Sequence, residues 1–170
     1  RLDELVQDYL SLVRVTNIQL QPQDLGLCAQ TWGTEMQAAA AARGVTLQFA
    51  GLESLGQIPF HASTLRRALL NLVQNALDAV AQGGTVMITG HSTATQVQLQ
   101  VCDSGSGIAA ERLERIFEPL YTTKPGGTGL GLYIVQEIVA AHGGQITLQS
   151  VESQGTIFTI MLPRAPTQGT

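Results

Sequence analysis

Four short segments of the chain alternate apolar and polar residues, and they fall in two closely linked pairs: 85–89 with 96–103, and 145–151 with 156–162. A side-chain period of two marks half-buried strands. Linkers this short make each pair an antiparallel hairpin, because a parallel crossover needs about a dozen residues or more. Each hairpin carries one apolar face that must be covered, and the chain supplies helices to do it. Segment 1–15 has helical periodicity, with Leu2, Leu5, Val6, Tyr9, Leu10, Leu12 and Val13 apolar and a polar stripe through Asp3, Glu4, Gln7, Asp8, Ser11 and Arg14. Asp24 is a suitable N-cap for a second helix over 25–43, stopped by Gly44. A third helix runs from Ser63 or Thr64 to Ala81, and a fourth over 133–142 stops at Gly143. Segment 45–50 reads as a further strand, with 57–60 as its expected partner, and 110–117 as a short helix. Without regular βαβ repetition, this order specifies an α+β fold: a two-layer sandwich whose mixed, mostly antiparallel sheet is covered on one face by helices.

Composition narrows the class. Hydrophobic residues make up 44% and charged residues 13% of the 170, which excludes a disordered tail. A net charge of −4 argues against a nucleic-acid partner held by a broad basic face. Cys28 and Cys102 have no metal-ligand spacing and read as reduced core thiols. No apolar run of about eighteen residues exists and no signal peptide opens the chain, so a soluble, cytoplasmic domain without membrane contact is expected. Arg1 in place of Met reads as a piece cut from a longer parent, which leaves a membrane anchor elsewhere open.

Three clusters carry chemistry. On the third helix, Asn71, Asn75 and Asp78 flank an apolar face of Leu65, Leu69, Leu72, Ala76 and Ala79. Asn is a middling helix former. Two of them four residues apart on one flank are either a solvated edge or a row of oxygen ligands for a hard cation such as Mg2+. Asp103-Ser-Gly105-Ser-Gly107-Ile108 leaves a strand directly. It is either a plain turn or a carboxylate in a pocket, accepting from an exocyclic amine where glycines let a ligand approach the backbone. Finally, Lys124, the one lysine of the chain, heads a loop with Gly126, Gly127, Gly129 and Gly131 that runs into the fourth helix. Unpaired N–H groups and the positive dipole end make such a helix start a phosphate site. The run is neither a P-loop, since Lys124 precedes Pro125, nor the dinucleotide fingerprint, since no strand directly precedes it.

In order and spacing the clusters resemble the catalytic, ATP-binding domain of bacterial sensor histidine kinases of two-component phosphorelay systems, whose Bergerat-type fold is shared with gyrase, mismatch-repair ATPases and heat-shock chaperones. NLVQNALDA resembles the family's N box, DSGSGI its G1 box, FEPLYTTK its F box and GTGLGL its G2 box. The short TTKPGGTGLGL run is most similar to the nitrogen-regulation subgroup. The resemblance implies a domain over 25–163, the end of the second helix of a dimerisation hairpin over 1–16, a linker over 17–24 and a polar tail over 164–170.

It also implies roles. Asn75 would coordinate Mg2+ between the ATP phosphates, assisted by Asn71, with Asp78 and Ala79 along the nucleotide. Asp103 would accept the adenine amino hydrogen, with Thr156 near the same edge and Gly105, Gly107 and Ile108 flooring the pocket. Phe117 would be the named residue of the F box, and Thr122, Thr123 and Lys124 would belong to the lid, Lys124 facing the γ-phosphate. The Gly129, Leu130 and Gly131 amides would hold the phosphates, with Gly127, Thr128 and Leu132 of the same box also binding ATP. Hydrolytic relatives carry Glu where Asn71 stands, and an amide is no general base, so the site is expected to present phosphate for transfer rather than hydrolyse it. The acceptor would be a histidine of the hairpin in a homodimeric parent, and the next acceptor an aspartate of a response-regulator receiver domain. None of His61, His91 and His142 fits the acceptor; His61 reads as a helix cap and His142 as a helix-end residue facing the dipole. An anti-sigma-type serine kinase and a non-catalytic nucleotide sensor share these boxes and stay as alternatives.

Overall fold

The computed structural model describes residues 2–165; Arg1 and the rest of the expected polar tail lie outside the described residues. Helix α1 spans Leu2–Val15, strand β1 Gln21–Asp24, α2 Leu25–Thr34, α3 Gln37–Ala42, β2 Thr46–Ala50, β3 Gln57–Phe60 and α4 Ala62–Ala79. The hairpin of β4 (Thr85–Ser92) and β5 (Gln96–Asp103) follows, then α5 (Ala110–Leu113), α6 (Gly131–Ala141), β6 (Gln145–Val151) and β7 (Gly155–Pro163). The main sheet has strand order β2-β4-β5-β7-β6. Only the β2–β4 pair is parallel; the other neighbours run antiparallel.

Alternation sorts the two faces of this sheet. Val86, Ile88, Leu99, Val101, Ile160 and Leu162 are buried, in one core with Leu65, Leu69 and Leu72 of α4 and Ile134 and Ile138 of α6. Each such side chain contributes roughly 1.5–3 kcal/mol on burial, which is why the helices stay on that layer. On the opposite side, Thr89, Gln100 and Thr159 stand in register and hydrogen-bond across three strands, at 3.2 and 3.0 Å.

Several expected boundaries shift. Segment 57–60 pairs with β1, not with 45–50; β2 instead lies parallel to β4. A 3-10 turn at Leu52–Ser54 and the buried Leu55 carry the chain away from β2. Alternation shows that a segment is a strand but not which strand it meets. Pro22 sits inside β1, tolerated because that ribbon has only two strands and an open edge. The expected single helix over 25–43 is two helices. Gly33 lies so close to Phe49 that an added Cβ would be 2.3 Å from its ring, and the chain turns there before α3.

Helix α1 presents its apolar residues to solvent: Leu2, Val6, Tyr9 and Val13 are exposed, while Val15 alone is fully buried. His142 ties α6 to α4. Its Nε2 accepts from the His61 N–H at 3.0 Å and its Nδ1 lies 2.7 Å from the Ile138 carbonyl, so the proton is on Nδ1. Burial holds its pKa below the ordinary histidine value. His142 is therefore a neutral staple rather than a charge answering the helix dipole. His61 caps α4, its side chain accepting from the Thr64 N–H.

Candidate functional site

The end of α4, the end of β5, the loop 104–130 and the start of α6 enclose a cleft of about 460 Å3. Asn75, Asp78 and Ala79 reach it from α4, Asp103 from β5, Gly131 and Leu132 from the mouth of α6. The three clusters thus share one cavity. Gly107, Ile108, Thr122, Thr123, Lys124, Gly127, Thr128, Gly129 and Thr156 complete the expected residues that line it.

At one end the walls are cationic and amide-rich. Helix α6 begins after Leu130, which supplies no side-chain cap, so its first-turn N–H groups open onto the cleft. Gly129 makes this approach sterically feasible: its φ is +74° and an added Cβ would stand 2.4 Å from the Leu120 carbonyl carbon. The Lys124 ammonium bridges Asn75 Oδ1 at 2.8 Å and Asp78 Oδ2 at 2.9 Å. Asp78 also takes hydrogen bonds from Arg43 and Gln74. Burial raises its carboxyl pKa, but the bonds from Lys124, Arg43 and Gln74 outweigh that and leave it below the ordinary value. The Lys124 ammonium rests against the Asn75 oxygen, and Asn75 lines the cleft.

The other end is apolar with one acid. Asp103 accepts from the Gly105 N–H at 2.9 Å. Burial pushes its carboxyl above the ordinary value, against the lowering pull of the Gly105 and Thr156 N–H groups. Gly107, at φ +68°, would place a Cβ 2.1 Å from the Val151 carbonyl oxygen; only glycine lets the floor of the cleft close onto the β6–β7 turn. Ser150 holds this floor. Its hydroxyl receives the Ile108 N–H at 2.8 Å and lies 2.8 Å from the hydroxyl of Thr156, the strand partner of Asp103.

Four expected residues stand outside the lining. Asn71 faces the α1 side and donates weakly to the Gly131 carbonyl at 3.4 Å. Gly105 lies behind the wall against the Ala79 carbonyl. Phe117 packs edge-on against Phe158 at 6.3 Å, and it is Phe158 that lines the cleft. Leu130 is buried in the core. Conversely, Ser106, Arg112, Ile116, Tyr121 and Phe158 line it without having been singled out. Phe158 is one residue from the Ile157 of an alternating strand, and periodicity alone labels it core. Arg112 had no signal beyond a basic residue on a short helix. None of the three histidines lines the cleft, and no described helix is long and apolar enough to cross a membrane.

The chain belongs to the family described as histidine kinase-, DNA gyrase B- and HSP90-like ATPases, whose pattern matches residues 61–166. Its fold is that of the catalytic domain of histidine kinases. Sensor histidine kinase ZraS of Escherichia coli O157:H7 is 40% identical over 163 residues, covering 96% of this chain and 36% of ZraS. The chain therefore spans about a third of the length of that relative. Full-length ShkA in complex with AMPPNP superposes with a TM-score of 0.86 at 30% identity, covering 98% of this chain and 36% of ShkA. Histidine kinase ThkA in complex with the response regulator TrrA gives 0.83 at 25% identity, over 99% and 49%.

Proposed function

We propose that the cleft binds Mg·ATP and presents its γ-phosphoryl group to a histidine on a dimerisation hairpin of which α1 is the end, for relay to a response-regulator aspartate. The observation that carries this reading is the convergence of Asn75, Lys124 and the uncapped start of α6 on one cavity whose far end holds a half-buried Asp103. Asp103, with Thr156 beside it, takes the adenine amino group. The α6 amides and Lys124 take the phosphates. Asn75 holds Mg2+, whose chemistry there is to neutralise phosphate charge. Asn71, turned to the Gly131 carbonyl, positions the start of α6, and its amide offers no base to activate water.

What supports the transfer reading over a free-standing nucleotide sensor or an anti-sigma-type kinase is α1, whose exposed Leu2, Val6, Tyr9 and Val13 form a face suited to a partner helix. The nucleotide-bound ShkA and the regulator-bound ThkA support the ligand and the partner class. Incubated alone with γ-labelled ATP, the chain binds nucleotide and retains no acid-labile label; supplied with a separate hairpin, it labels the hairpin. Stoichiometric label on His61, His91 or His142 contradicts this reading.

A further inference from the structure

Along Leu2–Leu10 the residue most sheltered from solvent is an acid. Asp8 keeps 18% of its side chain exposed, while the apolar Leu2 and Tyr9 stand at 74% and 64%. The inversion has a local cause: both carboxylate oxygens are used, by donors from two different elements. Oδ1 receives Arg67 Nη2 of α4 at 2.5 Å, and Oδ2 receives the Thr128 hydroxyl at 2.9 Å.

Both donors lead to the phosphate end of the cleft. Arg67 is one helical turn before Asn71, which touches the Gly131 carbonyl at the start of α6. Thr128 lines the cleft itself, and its hydroxyl oxygen accepts the Leu130 N–H at 3.3 Å. A hydroxyl has one hydrogen to give. Donating it to Asp8 leaves the Thr128 lone pairs for the Leu130 amide, so the carboxylate sets the rotamer that shapes the loop before α6. Arg67 has little alternative company, since its Nε is buried without a partner. A displacement of α1 by more than a hydrogen-bond length breaks both contacts together.

We propose that Asp8 is a positioning residue that couples the seating of α1 to nucleotide in the cleft: a seated α1 holds Thr128 and Arg67 in the arrangement that receives phosphates. This rests on the ATP reading above. Coupling of this kind is reciprocal, so nucleotide that orders Thr128 must equally tighten α1 onto the domain. The device gives the helix that leads into the domain a direct line to the phosphate loop.

The test uses the whole chain with Mg2+ and a non-hydrolysable ATP analogue, read by calorimetry and by amide hydrogen exchange over residues 2–15. In the unsubstituted chain the analogue slows exchange in α1. Asp8→Asn weakens the analogue three- to tenfold and abolishes that slowing, whereas Asp3→Asn, on the same helix but exposed, changes neither. Thr128→Val leaves the Asp8–Arg67 pair to keep α1 docked, yet also abolishes the slowing, and adding Asp8→Asn to it costs no further affinity beyond twofold. A purely structural Asp8 would lower stability without erasing the nucleotide response. If Asp8→Asn binds within twofold of the unsubstituted chain and α1 still responds, the coupling proposal is overturned and the ATP reading stands. If the unsubstituted chain binds no analogue, the ATP reading falls and takes the coupling with it.

Discussion

Lys124→Met separates the two things Lys124 does. In the structure its ammonium bonds Asn75 and Asp78 with 45% of the side chain exposed, so the tether is a surface interaction worth about 0.2–1 kcal/mol. Removing it should lower the thermal midpoint by no more than a few degrees, as roughly 1 kcal/mol does in a domain of this size. With ATP bound, the same ammonium is free to make a charge-assisted contact to the γ-phosphate, worth roughly 1.5–3 kcal/mol. The tether must break for that contact to form, so the net loss on substitution is about 1–2 kcal/mol, or roughly 5- to 30-fold in ATP affinity. ADP, which lacks the γ-phosphate and leaves the tether in place, should change by less than about twofold. Paired titrations of ATP and ADP by calorimetry, with a thermal melt of each protein, measure all three quantities. Equal loss for ATP and ADP would place Lys124 away from the γ-phosphate. A collapse of the melt would show that the tether is structural.

Other substitutions probe the remaining walls. Asp103→Asn should reduce adenine-nucleotide affinity by about two orders of magnitude, the cost of a lost charge-assisted bond; an unchanged isotherm removes Asp103 from the adenine end. Gly129→Ala forces a side chain into a left-handed position against the Leu120 backbone and should cost about 1–3 kcal/mol of stability, together with phosphate binding; a denaturant midpoint equal to the parent's contradicts the close approach. His142, its pKa depressed by burial, binds a proton in the unfolded chain before it does in the folded one. Its contribution is therefore complete above about pH 6.5 and is lost progressively as pH falls below it. Urea unfolding between pH 5 and 7.5 should show that slope, and His142→Gln should flatten it; an equal slope in both proteins rules the staple out as its source.

The local elements were readable because each follows from nearest-neighbour chemistry. Period-two alternation marked β4 through β7, Asp24 capped α2 as its residue type predicts, its carboxylate accepting from the Leu27 N–H, and the paired glycines after His142 ended α6, whereas α4 stops at Ala79, short of the expected Ala81 and of Gly83-Gly84. Strand partners were less accessible. The 57–60 segment has the right pattern, but its pairing with β1 depends on where the Leu52–Ser54 turn sends the chain. A strand containing Pro22 carries no alternating signal at all.

The same division runs through the site. By itself the sequence determined which residue types the cleft would need and where along the chain they sit: amides on one helix flank, an acid leaving a strand, glycines opening a helix. These signals are local and survive without coordinates. Only the tertiary structure decided that Phe158 rather than Phe117 forms the wall, that Lys124 rests on Asn75, and that Asp8 reaches Arg67 and Thr128, which are 59 and 120 residues away. Contacts between residues so distant in sequence are set by how the two layers pack, and a one-dimensional pattern contains no record of that geometry.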